Sequence, residues 1–136
     1  GSIIGITRGT TKANIARAVV DAMVHQTRDA IDAMTQAGGV TLAELRVDGG
    51  ASVMDAMLQR QSDALGVPVL RPTDHETTAL GAAYLAGLAE GVWANLDEIA
   101  SMWKLDQRFE PQQEDPSHAQ WLRAVERSRS WASPES

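Results

Sequence analysis

Cysteine is absent from the 136 residues, which excludes disulfides and thiolate zinc sites and fits a cytoplasmic protein. Aromatic residues are scarce, at 4%, so Ala, Val, Leu, Ile and Met must fill the interior, a composition suited to closely packed helices. Basic residues are outnumbered, 12 against 18 acidic, for a net charge of −6. No Lys/Arg cluster stands out, which argues against nucleic acid as a partner. No apolar run approaches the length of a membrane span, and the N-terminus carries no secretory apolar region. Phosphate-binding P-loops, the G-x-G-x-x-G fingerprint and a nucleophile-elbow serine are likewise missing. The histidines, His25, His75 and His118, stand far apart, none at a zinc-binding spacing with a second ligand, so no metal site is expected.

The chain that remains is long enough for one domain with a single core, expected over residues 1–132 with a frayed tail at 133–136. Its centre is Leu45-Arg-Val-Asp-Gly-Gly-Ala-Ser52. Leu45 and Val47 alternate with Arg46 as in a short strand buried on one face. Two glycines follow, then Ser52 and Asp55 with the S-x-x-D spacing of a helix start. Strand, glycine turn and helix start let bare main chain approach a flat or phosphorylated ligand, because glycine has no Cβ to block it. An ordinary tight turn has the same signature. Asp48 carries a similar ambiguity. It is a candidate base or magnesium ligand at a strand's C-terminal end, and equally a residue that bonds the turn's own N–H groups, the role we favour.

Around this centre, an extended or strand-like entry covers residues 1–7 and a helix spans Lys12 to about Ala37, ended by Gly38-Gly39. Ile15, Ala18, Val19, Ala22, Met23, Ala30, Ala33 and Met34 form its apolar stripe, and His25 to Asp29 a polar interval read as solvated surface. A helix from about Val53 to Leu65 ends at Gly66. Val67-Pro-Val-Leu70 is a second strand, parallel to the first, which Pro68 places at or near a sheet edge. Thr73-Asp-His-Glu76 reads as a capping box for a helix over Thr77–Glu90, in which Gly81 marks close backbone packing. Asn95 with Glu98 caps a short helix. Leu105–Phe109 is ambiguous, with a strand as one option, Pro111–Pro116 is a loop, and a last helix starting at Asp115 or Ser117 carries Trp121, Leu122, Val125 and Trp131.

Several of these segments resemble the glycerol kinase branch of the carbohydrate-kinase family. The opening Gly1-Ser-Ile-Ile-Gly-Ile with Asn14-Ile-Ala-Arg-Ala-Val-Val-Asp21 is similar to the family's second signature. Gln26-Thr-Arg-Asp29, Arg46-Val-Asp-Gly-Gly-Ala51, Gln61-Ser-Asp63, Leu65-Gly66, Arg71-Pro72 and Glu76 to Gly87 follow in the family's order and spacing. The resemblance implies an α/β fold: the C-terminal part of a ribonuclease H-like ATPase lobe, with short parallel strands packed against helices. It implies transfer of the ATP γ-phosphoryl group to glycerol, with Mg2+ bridging the phosphates and an aspartate accepting the hydroxyl proton. Gly49, Gly50 and Ala51 are then the adenosine-facing turn. Met54 stands where the family places an asparagine, so that contact becomes apolar.

The same resemblance implies that the catalytic aspartate, the glycerol contacts and the phosphate grip lie before Gly1. No catalytic residue is therefore expected within these residues, and the chain is expected to be an inactive fragment. A lone two-stranded sheet leaves an unpaired edge, so a homo-oligomer or a strand exchange is expected. A subunit-docking or regulatory module built on the late helices and the Pro111–Pro116 loop is the alternative, with a fragment of another sugar or polyol kinase as a third.

Overall fold

Thr11 opens helix α1 (Lys12–Gly38) with a reciprocal cap. Its hydroxyl accepts from the Asn14 N–H, and the Asn14 side chain accepts from the Thr11 N–H at 2.9 Å. Gly39, with φ 61°, ends the helix in the left-handed conformation that glycine adopts without strain. The computed structural model describes residues 1–74 and 76–130. His75, inside the expected capping box, Trp131 and the 133–136 tail lie outside the described residues. Residues 1–7 form no helix or strand and are exposed, with Gly5 at φ 91°.

The apolar stripe of α1 is not its buried face. Ile15, Val19, Met23 and Met34 are exposed, Val19 by 58% and Met34 by 71%, whereas Val24 and His25 are buried. The reason is placement: two other helices, α2 (Asp55–Leu65) and α5 (His118–Ser128), pack on the side of α1 that carries Asp21, Val24, His25 and Asp29. The polar interval read as solvated surface is thus the tertiary contact, and Gln26 stays exposed.

The sheet has three strands in the order β1 (Leu45–Arg46), β2 (Val69–Pro72), β3 (Leu105–Phe109). β1 and β2 are parallel, as the strand–helix–strand order requires, with Leu45 opposite Val69 and Arg46 opposite Leu70. Two expectations are corrected. Pro68 does not mark an edge: it precedes the first ladder residue of β2, and its carbonyl accepts from the Leu45 N–H at 2.9 Å. β2 is the central strand and is buried throughout. The ambiguous 105–109 segment is the third strand, antiparallel to β2, so the small sheet is mixed rather than parallel.

The turn after β1 is tighter than a helix cap. Gly50–Val53 form one 3-10 turn, and α2 begins only at Asp55, with Met54 at its N-cap. Ser52 therefore does not cap α2; its hydroxyl turns back to the Gly49 carbonyl at 2.7 Å. Leu58 on α2 meets Val69 and Phe109 in the core, with Leu45, Val47 and Met57 packed around them. Burying each of these large side chains stabilises the fold by about 1.5–3 kcal/mol.

Helix α3 (Thr77–Ala89) starts without the expected box. Glu76 is its N-cap and makes no side-chain cap. The Thr73 N–H goes instead to the Lys104 carbonyl at 2.9 Å, extending the β2–β3 pairing. Close packing in α3 falls at Gly87, not Gly81. A Cβ at Gly87 would collide with the Trp93 ring, whereas Gly81 faces open space. Asn95 caps α4 (Leu96–Ser101) by accepting from the Glu98 N–H at 3.0 Å, and the Glu98 carboxylate accepts from the Ala94 N–H. The 111–116 loop is pinned to α2 through Asp63, which accepts from the Gln112 N–H at 2.8 Å.

Candidate functional site

The glycine turn sits at the C-terminal end of β1. Gly49 has φ 80° and ψ 178°, a conformation that is strained for any residue with a side chain. Two donors close the turn on it: the Ser52 N–H at 3.0 Å and the Ser52 hydroxyl both reach the Gly49 carbonyl. Ser52 thereby takes the turn-bonding role expected of Asp48, whose side chain is exposed. A Cβ built on Gly49 or Gly50 meets nothing within 4 Å. The main chain there faces open space, and Gly50 is not in the left-handed region. Ala51 is half-buried beside it and Met54 is exposed on the same segment. Gly49, Gly50, Ala51 and Met54 are thus all at least partly exposed on the segment that follows β1.

Behind the turn lies a buried arginine. The Arg71 Nε donates to Asp106 Oδ2 at 2.7 Å, Nη1 to Asp55 Oδ1 at 2.7 Å and to the Ser52 carbonyl at 3.0 Å, and Nη2 to Gln107 Oε1 at 3.1 Å. The guanidinium carbon lies 5.6 Å from the centre of the Phe109 ring. The bonds to Asp55 and then Asp106 push the Arg71 pKa up. Arg71 drew attention in the sequence only as half of Arg71-Pro72. An arginine directly after the apolar run Val67–Leu70 is the signal that could have pointed to buried acidic partners.

A second polar cluster joins α1 to α5. The His25 ring is 3% exposed, with Nε2 3.1 Å from Ser117 Oγ. The Ser117 hydroxyl donates its proton to Asp115 Oδ1, so His25 Nε2 carries the proton and donates to Ser117. That leaves Nδ1 unprotonated and without a hydrogen-bond partner, 3.9 Å from Asp115 Oδ2. Burial is the main reason the His25 pKa is lowered. Next to it, Asp29 takes bonds at 2.7 Å from His118 Nε2 and from Trp121 Nε1. Burial works to raise Asp29, and these two bonds together with the neighbouring His118 and His25 lower its pKa on balance. Serine, histidine and aspartate meet here in the wrong order for nucleophilic catalysis, because the hydroxyl proton points to the carboxylate rather than to the imidazole.

Two cavities lie away from the glycine turn. One, of about 360 Å³, runs between the 3–10 segment and α1 at Asn14, Ile15 and Ala18. The other, of about 290 Å³, is lined by Arg17, Asp21, Arg60, Asp63 and the 113–117 loop. Among the described residues, no three His, Cys, Asp or Glu side chains come together as a metal site. No helix among them is long and apolar enough to cross a membrane.

Residues 1–90 match the family described as FGGY family of carbohydrate kinases, C-terminal domain. Glycerol kinase of Deinococcus radiodurans is 55% identical over 135 residues, which is 96% of this chain and 27% of that protein. Among solved structures, Plasmodium falciparum glycerol kinase with ADP superposes with a TM-score of 0.78 at 32% identity, over 94% of this chain and 26% of that one. Ligand-bound xylulose kinase from Lactobacillus acidophilus superposes with a TM-score of 0.69 at 24% identity, over 91% of this chain and 24% of that one, and shares the fold. The chain therefore spans about a quarter of the length of the relatives that it matches.

Proposed function

Because this chain belongs to the FGGY family of carbohydrate kinases, we propose that it supplies the adenosine-facing part of a glycerol kinase. The whole enzyme on this reading transfers the ATP γ-phosphoryl group to glycerol and yields glycerol 3-phosphate. The observation that carries the reading is the 55% identity to a glycerol kinase along 96% of the chain. Support for the nucleotide comes from the similar structure determined with ADP and from the open main chain at Gly49 and Gly50.

The residues present fit an adenosine. Two glycines leave room for a planar base to rest on peptide groups. Ala51 and Met54 would add apolar contact, Met54 through a polarisable thioether that makes no directional hydrogen bond to the base. Magnesium bound to the nucleotide phosphates would neutralise charge there, and we assign it no ligand in this chain. Residues 1–136 carry orientation rather than proton transfer, and the acid–base group belongs to the part of the enzyme outside them. Self-association of the kinase is part of the same proposal.

Titration of the 136-residue chain with ADP, followed by amide chemical shifts, tests the reading. Shifts concentrated at Gly49, Gly50, Ala51 and Met54 are expected, with weak affinity because the phosphate grip is missing. Shifts confined to the 111–117 loop and α5, or none, would instead favour the docking alternative. A coupled assay for ATP-dependent glycerol 3-phosphate formation by the same chain is expected to stay at background.

A further inference from the structure

The buried arginine of β2 supports an inference that rests on the nucleotide reading of the glycine turn. An arginine with a side chain only 10% exposed is costly to hold inside a protein unless its donors are matched. Asp106, Gln107 and Asp55 match most of them. The bond to the Ser52 carbonyl does something further, because Ser52 is the residue that closes the turn onto Gly49. Hydrogen bonds within residues 49–54 fold the turn on itself, and the Arg71–Ser52 bond ties it to the central strand.

We propose that Arg71 is a positioning residue for the nucleotide. By holding the Ser52 carbonyl, it presents the bare main chain of Gly49 and Gly50 in one fixed geometry. Asp55 and Asp106 aim the guanidinium, and the Phe109 ring lies close beneath it. A lysine at position 71 retains the charge and lacks the planar fork needed to reach Asp106, Asp55 and Ser52 together. A turn held in one geometry loses less conformational freedom on binding, so the effect appears as affinity.

Arg71→Lys and Asp106→Asn in the 136-residue chain test this by two readouts. The first is amide hydrogen exchange at Ser52, whose N–H bonds Gly49, with Val24 on α1 as the control for global stability. The second is the ADP dissociation constant from chemical-shift titration. Arg71→Lys is expected to speed Ser52 exchange roughly tenfold with Val24 unchanged, and to weaken ADP roughly fivefold. Asp106→Asn is expected to move both in the same direction by less, and it carries the test if Arg71→Lys does not fold. Unchanged Ser52 exchange in a folded variant overturns the proposal, as does unchanged ADP affinity beside a loosened turn. An unsubstituted chain that gives no ADP shift overturns the nucleotide reading and the positioning role with it. Faster Ser52 exchange in the variants would then locate the error in the ligand rather than in the tether.

Discussion

Trp121 on α5 donates its indole N–H to the carboxylate of Asp29 on α1 at 2.7 Å, across 92 positions of sequence. The same ring stacks on His25 with centroids 5.6 Å apart, so one side chain supplies both an apolar face and a donor. Trp121→Phe keeps an aromatic ring and leaves one Asp29 oxygen without its partner. A loss of about 1–3 kcal/mol is expected, the range for a hydrogen bond to a charged, part-buried group. Urea unfolding followed by circular dichroism measures it, with the exposed neighbour Leu122→Ala as control. Equal midpoints for the two variants would show that the indole bond contributes nothing.

Stability is expected to fall in two steps as pH is lowered. The pKa of His25 is depressed by burial below its ordinary value of 6.5, so the unfolded chain binds more protons just below that value. Stability then rises with pH across this window and is lost as pH falls from about 6.5 toward the folded pKa. Asp115 and Asp21 oppose the depression, while His118 and Arg28 add to it. Burial works to raise Asp29, Asp63 and Asp115, and hydrogen bonds, joined at Asp29 by the neighbouring His118 and His25, hold them below their ordinary 3.8 on balance. Their contribution is present above 3.8 and disappears as pH falls through the lowered folded values. Urea midpoints between pH 7.5 and pH 3 trace both steps, and His25→Gln should remove the upper one alone. A midpoint that stays flat from pH 7 to 5 in the parent chain would sink this assignment.

Local geometry was legible in the sequence, and long-range burial was not. Gly39 and Gly66 end helices in the left-handed region, which the paired glycine and lone glycine after apolar runs announced. Leu45 and Val47 alternate as a half-buried strand must, and Asn95 with Glu98 caps where expected. The His25–Asp29 interval was misread because its partners, Ser117, His118 and Trp121, lie about ninety residues later and no periodicity reports them. Pro68 misled for a related reason: a proline weakens only the ladder position that needs its donor, and it stands one residue before the ladder. At the candidate site, the open glycine turn could be placed from sequence alone. The role of Ser52 in closing it could not, because S-x-x-D fits a helix cap as well as a 3-10 turn.

The two turn glycines are expected to respond differently to alanine. Gly49 occupies φ 80° with ψ 178°, where a Cβ is strained by about 1–3 kcal/mol. Gly50 lies outside the left-handed region and has open space around it, so alanine there should change stability by less than about 0.5 kcal/mol. On the nucleotide reading, Gly50→Ala instead places a methyl group where the base would rest, and ADP shifts should vanish from a chain of normal stability. Urea midpoints and the ADP titration separate the two effects. Equal destabilisation by both variants would refute the backbone argument, and undiminished ADP binding by Gly50→Ala would refute the contact.

Surface area gives the physical case for self-association. The chain exposes 9835 Å², where a compact monomer of its mass exposes about 6,900 Å². Part of the excess is apolar: Ile3, Ile4, Ile6, Val19, Met34 and Leu85 are all at least half exposed. The pairs of β1 with β2 and of β2 with β3 leave the outer side of β1 without a strand partner among the described residues. Exposed apolar side chains and an unpaired strand edge each favour association over solvation. Sedimentation equilibrium of the purified chain should therefore give a mass that rises above the monomer with concentration, with little response to added salt because the driving term is apolar. Val19→Lys, on the exposed stripe of α1, should weaken the association without lowering the urea midpoint, since Val19 is more than half exposed. A mass that stays monomeric into the high micromolar range would mean that water covers this surface adequately and that the open edge of β1 is protected by its shortness alone.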